Sequence, residues 1–231
     1  MRLEDNDKKY SSKMYRFFDL LYKLLVINIS TIILSIPIIT IFPMLVACVA
    51  TIRNDLDEGN IIKAYFRNVK QYFIKSFLLG IGLLLIFAII IYAFFFWIFQ
   101  EFHQSSMEWI AQAGFVVMIV CLIIYLFSVV HIPYLIIILP KLRTIDIVKT
   151  SFYMAFRYLF TTIAMMITFG VIVGSLMMCI AVPGLLAVWM IIGISLPIFL
   201  ITKITKPIYY QFEKVDFDKI SKQIEEELED E

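Results

Sequence analysis

The chain has 231 residues, of which 61% are hydrophobic and 16% aromatic, with a mean hydropathy of +0.90 and a formal net charge of +1. So much apolar surface excludes a soluble single-core domain of this length, and so small a net charge gives no reason to expect a nucleic-acid partner. All 20 Lys and Arg lie in four blocks, Arg2 to Lys23, Arg53 to Lys75, Lys141 to Arg157 and Lys203 to Lys222, separated by apolar stretches without a basic residue. This pattern predicts an all-α, polytopic integral membrane protein built as one membrane domain, with lipid as its solvent.

Residues 1–23 form a polar, charged tail with no small-residue cleavage site after a short apolar run, so no removable signal peptide is expected. Residues 24–52 make the first membrane segment. As one kinked helix it would leave the six basic residues of the tail outside, against the positive-inside rule. As a broken element, re-entrant or a short hairpin turning near Pro37-Ile38-Ile39-Thr40-Ile41-Phe42-Pro43, it keeps every basic residue inside. The broken form is preferred, although each limb would have only about 14 apolar residues, short of the about 20 needed for a span. Pro37 ends one helix, Pro43 suits the first turn of the next, and Thr40 is a candidate N-cap. Asn28, Thr31 and Ser35 follow i, i+3, i+7 spacing and, with Thr40, define a polar helix face suited to interhelical hydrogen bonds or to lining a path.

Residues 53–76 read as a cytoplasmic stub. Spanning helices follow at 77–99, 109–135, 160–182 and 185–204, the last two joined by the turn Val182-Pro183-Gly184. The stub motif Lys63-Ala64-Tyr65-Phe66 … Gln71-Tyr72-Phe73 is echoed at identical spacing by Lys149-Thr150-Ser151-Phe152 … Arg157-Tyr158-Leu159. Pro37 and Pro43 are echoed by Pro133 and Pro140, which hints at an internal duplication. The linker Gln100 to Glu108 carries Glu101, His103 and Glu108 but no Lys or Arg, so it faces outward as a solvated turn. Residues 205–231 form a cytoplasmic acidic tail. In it Phe217, Ile220, Ile224 and Leu228 lie on one helical stripe, which suits a protein partner better than an anionic membrane.

No acidic or basic side chain lies deep in the four clear spans, which argues against an ion-coupled relay. His131, about ten residues before Lys141, reads as a structural or interfacial histidine in preference to a proton-carrying one. Gly80, Gly82, Gly170, Gly174 and Gly193 mark expected close helix approaches. Cys48, Cys121 and Cys179 are isolated core positions without ligand spacing. No catalytic, nucleotide-binding or metal motif is present, so no enzymatic activity, cofactor or metal is expected.

Asn28, Pro37-Ile38-Ile39-Thr40, Pro43, Ala47, Ala50, Phe66 and Lys70-Gln71-Tyr72-Phe73 leading into Ser76 together resemble the YesL-like family of bacterial membrane proteins of uncharacterised function. The chain departs from the family pattern at Phe42, where Gly is usual, at Val69, where the stub has Phe, and at Tyr72, where it has Asn. The charge pattern puts both termini inside, and the resemblance implies a bacterial cytoplasmic membrane and a genomic setting of carbohydrate ABC importers, sensor kinases and glycoside hydrolases. The expected role is an accessory or regulatory membrane subunit of a carbohydrate ABC importer, its neighbours being membrane lipids and the importer's permease. It would dock through Lys63, Phe66, Lys70 and Phe73 and through the tail positions Phe217, Ile220, Ile224 and Leu228. The alternatives are an autonomous small-solute transporter or channel and a membrane scaffold for a signalling kinase.

Overall fold

The computed structural model describes residues 13–103 and 108–213. All regular structure among them is helical: α1 (Lys13–Leu34), a 3-10 turn (Ile38–Thr40), α2 (Ile41–Asn54), α3 (Ile61–His103), α4 (Glu108–Val129), α5 (Ile132–Ile138), α6 (Thr144–Arg157), α7 (Leu159–Ala181), α8 (Leu185–Ile192) and α9 (Ser195–Glu213). The stretches Met14–Leu34, Ile61–Phe99, Gln112–Ile138 and Leu159–Ala181 are each long and apolar enough to cross a membrane. The pair α8 and α9, bent by 42°, adds a fifth crossing if it acts as one span. The chain is therefore a multi-pass membrane protein, as its charge pattern predicts.

Burial is extensive in α2, a helix too short to cross alone. Met44, Val46, Ala47, Cys48, Val49, Ala50, Thr51 and Ile52 are all enclosed, because α2 packs against α1, α3, α5 and α9 together. The long helices instead leave Phe, Leu and Ile side chains on their outer faces, which is stable because the surrounding medium is hydrocarbon. Three breaks shape the bundle, and a proline lies at each. Ser35 to Pro37 ends α1, Pro133 opens α5 just after the turn at Val130 and His131, and Pro197 removes the hydrogen bond its nitrogen would have made to residue 193.

Several boundaries differ from the sequence reading. The first limb runs from Lys13 and is 22 residues long, because nothing in the charged run to Lys23 interrupts a helix. The stub expected at 53–76 and the span expected at 77–99 belong to one 43-residue helix, about 64 Å long. Asn60 opens it as an N-cap, accepting the Lys63 backbone N–H at 3.1 Å on Oδ1, and no proline follows within it. The span expected at 109–135 breaks before Pro133. The one expected at 185–204 breaks at Gly193.

The echo between the two stubs extends to burial. Ile61, Tyr65, Asn68, Tyr72, Ser76 and Leu79 face inward on α3, and the positions 86 residues later, Ile147, Ser151, Met154, Tyr158, Thr162 and Met165, are buried or half-buried in the same order. Phe66 and Phe152 are both exposed. The second copy differs in breaking at Tyr158, where the first continues unbroken.

Candidate functional site: the polar groups at the helix breaks

Polar side chains in this bundle gather where helices are interrupted. The bend between α8 and α9 leaves the Met190 carbonyl of one helix and the first N–H groups of the other without backbone partners, while the Trp189 carbonyl accepts the Gly193 N–H at 2.7 Å. Asn28, fully buried on α1, meets both sets. Its Nδ2 donates to the carbonyls of Trp189 (3.1 Å) and Met190 (2.7 Å), and its Oδ1 accepts from the N–H of Ile194 (2.8 Å) and Ser195 (3.0 Å). A carboxamide offers two donors and two acceptor lone pairs, and all four are used. Asn28 is thus a two-sided clip across the bend. Gly193 sits inside it because a Cβ there would come within 2.5 Å of the Trp189 indole and carbonyl. Trp189 is itself tied to α7 through its Nε1, which donates to Ser175 Oγ at 3.1 Å.

A second group surrounds His131, which is fully buried at the α4–α5 turn. Its Nε2 lies 2.8 Å from Thr162 Oγ1, and its Nδ1 lies 2.7 Å from the Tyr209 hydroxyl. The Thr162 hydroxyl has carbonyl acceptors in Ala155 (3.0 Å) and Tyr158 (3.1 Å). Directing its proton there makes Nε2 the protonated nitrogen and leaves Nδ1 to accept from Tyr209. The chain Tyr209 to His131 to Thr162 to the α6 carbonyls ties α9, α5, α7 and α6 together. Tyr134 stacks on Tyr209 (5.1 Å, 3°) and its hydroxyl meets Thr202 at 3.1 Å.

Thr31 donates to its own helix at Ile27 (2.8 Å) and accepts from Tyr65 (3.1 Å), which joins α1 to α3. Near the basic ends of α2 and α3, Asn68 donates to Thr51 Oγ1 (3.0 Å) and to Asp55 (2.6 Å). Arg67 pairs with Asp55 (2.9 Å) and Glu58 (2.6 Å) in a partly exposed cluster, where such pairs add little stability.

The expected polar face therefore divides. Asn28 and Thr31 are buried but reach different partners, whereas Ser35 lies beyond the end of α1, half-buried in the turn. Thr40 stands at the N-cap position of α2 without capping it, because its hydroxyl lies 2.7 Å from the carbonyls of both Leu34 and Pro37 and closes the preceding turn. Lys63, Phe66 and Lys70 share the exposed face of α3, while Phe73 is half-buried and stacks on Phe77 (5.6 Å, 15°). Phe217, Ile220, Ile224 and Leu228 lie outside the described residues, as do the side chains of Glu101, His103 and Glu108.

The glycines also divide. Gly80 faces Phe42 closely enough that a Cβ would meet its ring and Cβ at 3.0 to 3.3 Å, whereas Gly82, Gly170 and Gly174 have nothing within 4 Å of that position. The Gly170-x-x-x-Gly174 spacing marks no close approach here, since this face of α7 points away from the other helices. Gly170→Ala is accordingly expected to leave thermal stability in detergent unchanged or slightly raised, by up to about 1 kcal/mol from helix propensity. Gly193→Ala is expected to lower it, and equal behaviour of the two variants would contradict the crowding at the bend.

Among the described residues no group of three or more His, Cys, Asp or Glu could hold a metal ion, and Cys48, Cys121 and Cys179 are free thiols. Chemically, the arrangement is a set of neutral hydrogen bonds that fixes broken helices to one another. Ser195 Oγ, buried beside the Asn28 clip, has no hydrogen-bond partner among the described residues. No curated protein and no solved structure matches the chain. Residues 24–94, the segment that carries Asn28, the turn at Pro37 and the α2–α3 hairpin, match the sequence model of the family described as protein of unknown function, DUF624.

Proposed function

We propose that the chain is a YesL-like accessory or regulatory subunit of a carbohydrate ABC importer in a bacterial cytoplasmic membrane, with its basic ends inside. The observation that carries this reading is the Asn28 clip. Folds that move solutes by themselves bind them at the free backbone groups of discontinuous helices near mid-membrane. Here three such groups, the Met190 carbonyl and the N–H groups of Ile194 and Ser195, are taken up by a side chain of the same protein. Lys63, Phe66 and Lys70, displayed together on the exposed face of a helix continuous with a membrane crossing, supply a docking surface at the basic end.

The test is purification of the tagged chain from its own host in a mild detergent, with mass spectrometry of the proteins that remain bound. The proposal expects stoichiometric permease subunits, lost on Phe66→Ala/Lys70→Ala replacement. A clean homo-oligomer sinks it. That outcome would favour a second reading, an autonomous small-solute transporter, which draws its support from the unpartnered Ser195 hydroxyl at the bend. A scaffold for a signalling kinase would show as a kinase in the same preparation.

A further inference from the structure

We infer that α6 is an interfacial helix that binds the headgroups of anionic phospholipids. It connects two membrane crossings, beginning six residues after Ile138 and ending just before Leu159, so it cannot leave the membrane surface. Its sequence sorts into three rows. Ile147, Ser151, Met154 and Ala155 are buried against the protein. Val148, Phe152 and Phe156, spaced by four, form an exposed apolar row, and the two Phe rings lie 4.9 Å apart. Lys149, Tyr153 and Arg157, also spaced by four, form an exposed row directly beside it.

An apolar row flanked by basic side chains is the composition of a helix lying at the headgroup and acyl boundary. At the C-terminal end of α6, Phe152, Tyr153, Phe156, Arg157 and Tyr158 line an open depression of about 660 Å³. Its walls offer aromatic rings to acyl chain and glycerol and a guanidinium to a phosphodiester, the group Arg recognises through paired N–H donors. Among the described residues no ion pair engages Lys149 or Arg157, and the only acid within α6 is Asp146, in its first turn. The charges that would neutralise this row come from the membrane. A soluble protein partner would have to cover an apolar row that already faces hydrocarbon.

Native mass spectrometry of the full chain, delipidated in detergent and titrated in parallel with phosphatidylglycerol and phosphatidylcholine, tests the assignment. Each basic side chain near an anionic surface is worth about a fivefold preference. With two such side chains, the wild type is therefore expected to retain the anionic lipid at roughly 25-fold lower concentration than the zwitterionic one, and to lose that advantage as salt is raised. Lys149→Gln/Arg157→Gln is expected to equalise the two lipids, Arg157→Lys to keep most of the preference, and Phe152→Ala/Phe156→Ala to weaken both lipids alike. Equal retention of the two lipids by the wild type at low salt overturns the inference, whatever the variants do. So does a preference that survives the double glutamine change, or a dimer lost in that variant while its lipid preference stays intact.

Discussion

Asn28→Ala is expected to be among the most damaging single substitutions in the chain, lowering the thermal midpoint in detergent by about 10 °C. The change deletes four hydrogen bonds at once and leaves the buried N–H groups of Ile194 and Ser195 and the part-buried Met190 carbonyl without partners, while the Trp189 carbonyl keeps the Gly193 N–H. Four interhelical hydrogen bonds at the membrane average of about 0.6 kcal/mol come to about 2.4 kcal/mol, and two orphaned buried N–H groups at about 1 to 3 kcal/mol each set the expected range at roughly 2 to 6 kcal/mol. A chain of this size loses about 2 to 4 °C per kcal/mol. Asn28→Asp separates the two halves of the clip. It keeps an acceptor for Ile194 and Ser195 but turns a carboxylate toward the carbonyls of Trp189 and Met190, so it is expected to be at least as harmful as Ala. An Asp variant as stable as the wild type would mean that the amide donors are not engaged.

The second large effect is expected at His131, measured as a double-mutant cycle with Tyr209. His131→Leu removes the acceptor of the Tyr209 hydroxyl and the donor to Thr162, both in a fully enclosed setting, and should cost about 2 to 4 kcal/mol. Tyr209→Phe alone removes one of those bonds and should cost less. When both are changed the hydroxyl, left in the single variant with only the weak acceptor Met165 Sδ at 3.9 Å, disappears with its partner, so the double variant should recover about 1 kcal/mol relative to the sum of the singles. Strict additivity in midpoint or unfolding free energy would show that the two side chains do not bond in the membrane-embedded protein.

Much of the helical layout is legible in the residues, because the requirement of about 20 apolar positions per crossing and the clustering of Lys and Arg are local properties. The break near Pro37 is legible for the same reason. The bend at Gly193 carried a local signal that could have exposed it: a glycine four residues ahead of Pro197, where the proline ring must displace a carbonyl. What no local pattern gives is the identity of partners. Asn28 looks like one more polar residue on a helix face until the fold brings a segment 161 to 167 residues away against it. His131 is about ten residues from Lys141 in the chain, which suggested an interfacial setting. The packing of α9 over the α4–α5 turn gives it the structural role that the reading also named. Gly170 and Gly174 show the converse, a familiar spacing that the tertiary arrangement leaves unused.

The sequence separation across the Asn28 clip also orders the birth of the molecule. Asn28 on α1 is synthesised 161 to 167 residues before the segment at 189–195 that it clips. At about 5 to 20 residues per second, α1 waits roughly 10 to 30 s with a carboxamide exposed to lipid before its partners exist. During that interval the helices already made are a provisional assembly open to other polar ligands, such as insertion machinery or water. The closing of the bent pair α8–α9 onto α1 then comes as a separate, later event.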